Sequence, residues 1–238
     1  MITENDILQA TAYINDVDIY TVGALVESFK VSGTAIDNTA YQGVNSTNFN
    51  VLSTTRGMRV ITLNLFYKAN NRRNLALKKA KIDNLIGNGK IDLKLPDGFH
   101  YFAFLTGCGD EQTLGVEGNE IIALCTYTLQ GIRHDDLEKI TGVTSGTSFL
   151  CKSLIPETDV RLTCTASQAR ASLTIGTVTI TNVHANDILV VDGINKRILQ
   201  NGAPCAGNMS FVNFPKLVPG NNTITCVETL TVEYYPTY

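Results

Sequence analysis

Residues 58–95 constrain the fold more than any other part of this 238-residue chain. Apolar residues first alternate with more polar ones, which predicts a strand with one buried face: Ile61, Leu63, Leu65 and Tyr67. They then recur at helical spacing over residues 71–87, with Asn70 or Asn71 as the N-terminal cap and Gly87 as the stop. A second strand is predicted over residues 91–95. A lone helix among strands is expected to cover one face of a sheet.

The rest of the chain is predicted to be mainly β. The boundaries expected are a first domain over residues 1–132, a polar linker over 133–147 and a second domain over 148–238, because residues 131–147 are polar, contain glycine and lack periodicity. The first domain is expected to be a β-sandwich or barrel-like body with one packed helix. About seven short strands separated by turn signals predict a two-sheet sandwich for the second.

Residues 32–55 are rich in Gly, Ser, Thr and Asn and show weak periodicity. So long a segment within a compact domain is unusual. It is predicted to be either a mobile loop or an arm that becomes ordered against a partner. The candidate arm residues are Asp37, Tyr41, Val44, Phe49, Val51 and Leu52.

Composition argues against several functional classes. A net charge of −3 argues against a nucleic-acid partner. No apolar run approaches the length of a membrane span, and the first residues lack the basic and apolar regions of a signal peptide, so folding in a cytosol is expected. In that compartment the six cysteines are expected to be small buried thiols, with Cys125, Cys164 and Cys226 inside strands.

No constellation of residues predicts catalysis, a cofactor or a metal site. His100, His134 and His184 lie in separate regions, and each is expected to have a surface or hydrogen-bonded structural role. Asp135, Asp136 and Glu138 fall in the expected linker, where no pocket separates their pKa values. The glycine-rich stretches join strands and do not open a helix, so they lack the setting of a phosphate site.

Basic residues concentrate on and around the predicted helix. Eight of the nineteen lie there: Lys68, Arg72, Arg73, Lys78, Lys79, Lys81, Lys90 and Lys94. A solvated outer face is one interpretation. The other is a basic surface, centred on Arg72, Arg73, Lys78, Lys79 and Lys81, that docks an acidic partner or faces DNA passing through an assembly.

The whole chain resembles the distal tail protein family of long-tailed bacteriophages, which also occurs in prophages and phage-derived tail particles. Residues 59–63 and the following helix are similar to the family's strand–helix core, and residues 93–98 with Tyr101 and Ala103 are similar to its next hairpin. The C-terminal turns follow the family's order, through residues 188–192, 201–202 and 214–224 to a closing aromatic-proline tail at 234–236. The departures are residues 32–55 and the cysteine content.

The resemblance implies a structural hub and no enzyme activity. The first domain would form a ring, with six copies expected, at the end of the tail tube, and the second would be a galectin-like β-sandwich. The ring would join the tail-tube protein to the tail-tip protein and to receptor-binding proteins. It would be made and assembled in the bacterial host cytoplasm, act within the virion, and meet DNA only as transported cargo.

Two other functions remain open from the sequence. A carbohydrate-binding module for attachment to the host surface is one, although the absence of Trp weakens it. A tail-tube subunit is the other, and it would polymerise into open-ended tubes instead of closing into rings.

Overall fold

The computed structural model describes residues 11–34, 36–42, 49–205 and 207–238. The chain divides into two compact units, residues 1–133 and 134–238. The segment expected to be a linker contains a strand, Glu138–Val143, that pairs within the second unit. Its polar composition hid this strand, in which Val143 is the one buried residue.

The first unit combines one sheet with one helix. Its helix α1 spans Arg72–Gly87, and a short 3-10 helix spans Ile19–Val22. Its described strands are β1 (Tyr13–Ile14), β2 (Val17–Asp18), β3 (Ala24–Val31), β4 (Ile36–Gln42), β5 (Phe49–Arg56), β6 (Arg59–Ala69), β7 (Ile91–Lys94), β8 (His100–Cys108), β9 (Gln112–Glu117) and β10 (Glu120–His134). The sheet order is β2-β1-β7-β8-β10-β6-β3, with β9 also paired to β10. Strands β4 and β5 form a separate two-stranded sheet.

Helix α1 lies on the apolar face of this sheet, as the sequence predicts. Leu75, Ile82 and Ile86 are buried on one side of the helix. They join a core that includes the alternate β6 residues Ile61, Leu63, Leu65 and Tyr67. The helix begins where the Asn71 side chain accepts a hydrogen bond of 2.8 Å from the backbone N–H of Asn74, a partner that this N–H otherwise lacks.

The end of α1 differs from the prediction. Gly87 was expected to stop the helix in the left-handed conformation, but it is the last helical residue, and Asn88 is the cap with φ −84°. The left-handed residue is Gly89, with φ +77°. A left-handed glycine therefore follows the helix as predicted, but it is Gly89, two positions later than Gly87. No helix in the described ranges is long and apolar enough to span a membrane.

The second unit is built from short strands around its own core. Its described strands are β11 (Glu138–Val143), β12 (Ser148–Cys151), β13 (Thr158–Thr165), β14 (Arg170–Ile175), β15 (Val178–Val183), β16 (Ile188–Asp192), β17 (Arg197–Gln200), β18 (Ala203–Pro204), β19 (Met209–Phe211), β20 (Lys216–Leu217), β21 (Gly220–Thr223) and β22 (Leu230–Tyr234). The largest sheet runs β11-β22-β13-β16-β17-β18, with β20 paired to β13, and β14-β15-β19 and β12-β21 form two smaller sheets. One apolar cluster joins residues from all three sheets.

The last part of the chain buries alternate residues even where it is not a strand. Ile224, Cys226, Leu230, Val232 and Tyr234 are all buried, and the last three lie in β22. Glu228, in the same alternating series, is also buried. Its carboxylate accepts hydrogen bonds from Ser167 at 2.9 Å and Arg170 at 3.3 Å, which compensate for the loss of water.

A buried carboxylate organises one end of the β16–β17 hairpin. Asp187 accepts hydrogen bonds from the Asn201 amide at 2.7 Å, the His184 backbone N–H at 2.7 Å and the Gln200 amide at 2.6 Å. These hydrogen bonds lower the pKa of Asp187 from 3.8 to about 2, and the bond from Asn201 has the largest effect. The ionised form is therefore the one that the folded chain stabilises.

Asp187→Asn is expected to destabilise the second unit at neutral pH, because the amide nitrogen would face a donor where an oxygen now accepts. Since the folded pKa is depressed, the wild type holds this stabilisation above pH 3.8 and loses it as the pH falls toward about 2. The difference between the two proteins in free energy of unfolding should therefore shrink over that window. Urea titrations at several pH values measure it. Glu157→Gln, at an exposed position of the same unit, is the control, and a pH-independent difference would contradict the prediction.

Candidate assembly surfaces

A polar network fixes α1 to the sheet of the first unit. The Tyr127 hydroxyl donates to Asp83 at 2.7 Å and lies 2.8 Å from the Tyr67 hydroxyl, which in turn donates to it. Burial raises the pKa of both tyrosines, and the Asp83 acceptor raises that of Tyr127 further. Lys79 completes the network by donating to the other Asp83 oxygen at 2.8 Å. Asp83 therefore links the helix to β10 through the Tyr127 hydroxyl, while Lys79, four residues earlier on the same helix, orients the Asp83 carboxylate.

Two of the five predicted basic residues are thus engaged within the unit. Lys79 belongs to the network under the helix, and Lys78 donates to the backbone carbonyl of Lys68 at 2.7 Å. The Lys78 stem also passes over Gly23, where an added Cβ would lie 2.7 Å from Lys78 Cδ. Both lysines position the helix, so the basic surface is smaller than the sequence suggested.

The other three predicted residues form an exposed group. Arg72, Arg73 and Lys81 are exposed and have no side-chain partner within the described residues. Leu77 lies between Arg73 and Lys81 at four-residue spacing, and 54% of it is exposed. We call Arg72, Arg73, Leu77 and Lys81 the helix stripe: positive charge flanking one exposed apolar side chain.

The predicted arm contains a β-hairpin. Strands β4 and β5 pair antiparallel from Ile36↔Arg56 to Gln42↔Phe49, with an irregularity at Thr39/Ala40. Within this hairpin lie five of the candidate arm residues, Asp37, Tyr41, Phe49, Val51 and Leu52, while Val44 falls outside the described residues. Periodicity did not predict these strands, because their apolar residues do not alternate regularly. Their content of Thr, Tyr, Val, Ile and Phe was the available signal.

The hairpin leaves both of its outer edges open. Among the described strands, β4 and β5 pair only with each other. An open strand edge presents unpaired backbone N–H and C=O groups, which readily accept a strand from another chain. This property makes the hairpin a candidate surface for contact with a neighbour.

Strand β9 is an exposed surface that the sequence pattern did not predict. The glycine-rich stretches were expected only to join strands, yet one of them contains Gln112–Glu117, which pairs with the start of β10. Every residue of β9 is exposed, including Leu114 at 53% and Val116 at 68%. The alternation of Leu114 and Val116 was the signal for a strand. Its edge opposite β10 has no strand partner in the described part of the chain.

Two features in the described part of the second unit bear on a sugar ligand. Tyr234 is buried, donates to the Leu150 carbonyl and accepts from the Lys152 backbone N–H at 3.1 Å, so it serves the core. An open depression of about 530 Å³ is lined by Ala169, Arg170, Ala171, Asn182, Val183 and His184. This described lining has no aromatic ring on which a sugar could stack.

Comparison with protein families places the C-terminal part of the chain. Residues 155–238 match the family model described as the C-terminal domain of the siphovirus-type tail component. This range lies inside the second unit. Comparison with curated protein sequences gave no significant match.

Solved structures match both units. The SPP1 Dit (gp 19.1) protein, described as a paradigm of the hub adsorption apparatus in phages that infect Gram-positive bacteria, superposes with a TM-score of 0.70 at 11% identity, over 96% of this chain and 99% of that chain. A chain of the phage p2 baseplate in its activated conformation with Sr gives 0.61 at 9% identity, over 96% and 98%. The same baseplate with Ca gives 0.61 at 7%, also over 96% and 98%. The resemblance to distal tail proteins and the mainly β fold expected from it are confirmed.

Proposed function

We propose that this chain, whose fold is that of the SPP1 Dit protein, is the structural hub at the distal end of a phage or phage-like tail. The observation that carries the proposal is the shared two-unit fold over 96% of the chain, joined to the tail-component match over residues 155–238. In this role the protein positions other proteins and catalyses no reaction.

The first unit forms the ring, for which six copies are proposed. A closed ring needs two different patches on each subunit, so that each copy contacts the next. The β4–β5 hairpin supplies one of them, since it can lie across the adjacent subunit and extend its sheet. The open edge of β9 is a described edge that such a strand could join.

The remaining partners follow from the position of a hub. We propose that one side of the ring meets the tail-tube protein and the other the tail-tip protein, with the second unit directed to receptor-binding proteins. Strand β19 supports this last role, because Met209 and Phe211 are exposed on it and Val212 beyond it is 88% exposed. The ring is assembled in the host cytoplasm, becomes part of the virion, and meets DNA only in transit.

Electron microscopy of the purified protein tests the proposal. Closed rings are expected, and image classes with six-fold symmetry would support the proposed stoichiometry. Open-ended tubes would instead favour a tail-tube subunit. A protein that stays monomeric at high concentration and binds glycans through its second unit would favour a carbohydrate-binding module.

We propose that the helix stripe contacts a neighbouring subunit or the ring lumen. Reversing its charges in Arg72→Glu/Arg73→Glu/Lys81→Glu is expected to weaken ring association about tenfold or more, because like charges placed opposite each other cost several kcal/mol. The folded state should change little, since these side chains are exposed. Analytical ultracentrifugation at several salt concentrations measures the association.

The matched control for charge reversal keeps the charge and changes the side chain. Arg72→Lys/Arg73→Lys/Lys81→Arg is expected to form rings as the wild type does. Rings of unchanged stability and unchanged salt dependence in the reversed variant would show that the helix stripe does not contact a neighbouring subunit.

A further inference from the structure

Two cysteines of the first unit lie in contact across neighbouring strands. The Sγ atoms of Cys108, at the end of β8, and Cys125, in β10, are 3.5 Å apart. Cys125 is buried, whereas Cys108 is exposed, and all six cysteines of the chain are within the described residues. The other four are also buried, so Cys108 is the cysteine that a dissolved reagent can reach.

We propose that Cys108 and Cys125 form a redox modification site, at which a low-molecular-weight disulfide such as oxidised glutathione closes the pair into an intramolecular disulfide. The pair thus tethers β8 to β10 where the chain leaves β8 and turns toward β9.

The local geometry favours closure within one chain. A disulfide has an S–S bond of about 2.05 Å, so the sulfurs must approach by roughly 1.5 Å. The Gly109 backbone N–H donates to the Thr126 carbonyl at 2.7 Å, which keeps the strands in register beside the pair. Cys108 ends β8, so its side chain has room to turn toward Cys125.

Exposure sets the order of the chemical steps. The Cys108 sulfur attacks the reagent disulfide, whose S–S bond breaks, and one glutathione leaves with the Cys108 proton. The Cys125 sulfur then attacks the Cys108 sulfur of the mixed disulfide, and the second glutathione leaves with the Cys125 proton. Two protein thiols are oxidised and one reagent disulfide is reduced to two thiols, so atoms and electrons balance.

The surroundings fit these roles. Burial raises the pKa of the Cys125 thiol, which keeps it protonated at neutral pH, so it is not the sulfur that attacks the reagent first. Lys79 Nζ lies 3.8 Å from Cys108 Sγ, so a thiolate formed at Cys108 has an ammonium group beside it.

The second unit provides an internal comparison. Cys164 and Cys226 are also neighbours, since a hydrogen bond between them shifts the pKa of each, but both are buried. A dissolved disulfide cannot reach them in the folded chain. The sulfurs are close in both pairs, but a dissolved disulfide can reach only the Cys108–Cys125 pair.

The test treats the folded, full-length protein with oxidised glutathione, blocks free thiols, and then counts thiols and maps peptides after denaturation. The wild type is expected to lose two of its six thiols and to yield joined peptides containing Cys108 and Cys125. Because the result is read on the wild type, it does not depend on any variant folding. A lasting glutathione adduct at Cys108, a Cys164–Cys226 bond, or no loss of thiols would overturn the proposal.

Variants resolve the two steps. Cys125→Ala should stop at the mixed disulfide, so that one glutathione remains on Cys108. Cys108→Ser should lose no thiol. Cys205→Ser, which removes a buried cysteine of the second unit, should lose two thiols as the wild type does. Loss of two thiols in Cys108→Ser would assign the reaction to another pair and contradict the proposal.

Discussion

Removal of the β4–β5 hairpin is expected to leave the protein folded and monomeric. The variant deletes residues 35–56 and joins Thr34 to Gly57. The structure favours this junction, because Val31 pairs with Ile61 and the Ser32 N–H donates to the Val60 carbonyl at 2.8 Å. The strands on either side of the deletion are therefore neighbours, and a short turn can replace the hairpin.

The reason for the expected monomer is the loss of a patch that only a neighbour can cover. Within the described residues the hairpin pairs with no strand of its own unit. If it crosses to the adjacent subunit, its deletion removes both the crossing contact and the ring.

Light scattering coupled to size-exclusion chromatography measures the effect of the deletion, with the wild type at the same concentration as reference. Circular dichroism and thermal melting serve as controls for the fold. Intact rings formed by the deletion variant would refute the proposal that the hairpin is an arm between subunits. An unfolded variant would show instead that the hairpin is needed for folding of the unit.

Ile82→Ala is expected to destabilise the first unit by about 2–5 kcal/mol. Ile82 is fully buried between α1 and the sheet, in the core that also holds Leu75 and Ile86. Truncation removes apolar burial and leaves a cavity that the β6 side chains cannot fill without moving. The loss is a large fraction of the stability of a typical domain.

The same helix supplies the control for this substitution. Leu77→Ala removes an apolar side chain that is 54% exposed, so its effect should stay within about 0.5 kcal/mol. Urea unfolding and hydrogen exchange of the β6 and β10 amides measure both variants. Equal destabilisation by the two substitutions would mean that α1 does not seal the sheet as described.

Local patterns in the sequence were sufficient for the elements with strong periodicity. The spacing of Leu75, Ile82 and Ile86 predicted the helix, and its start was predicted at Asn70 or Asn71, of which Asn71 is the cap. Residues with weak alternation were assigned to loops, and β4, β5, β9 and β11 were missed for that reason.

The sequence by itself determined the mainly β class, the position of the one long helix and the resemblance to distal tail proteins, because these depend on residues close together in the chain. Only the tertiary structure decided which charges are free. Lys78 and Lys79 donate hydrogen bonds within the first unit, whereas Arg72, Arg73 and Lys81 are exposed. The tertiary structure also brought Cys108 to Cys125 and Tyr67 to Tyr127, because strand pairing joins residues whose separation along the chain carries no signal.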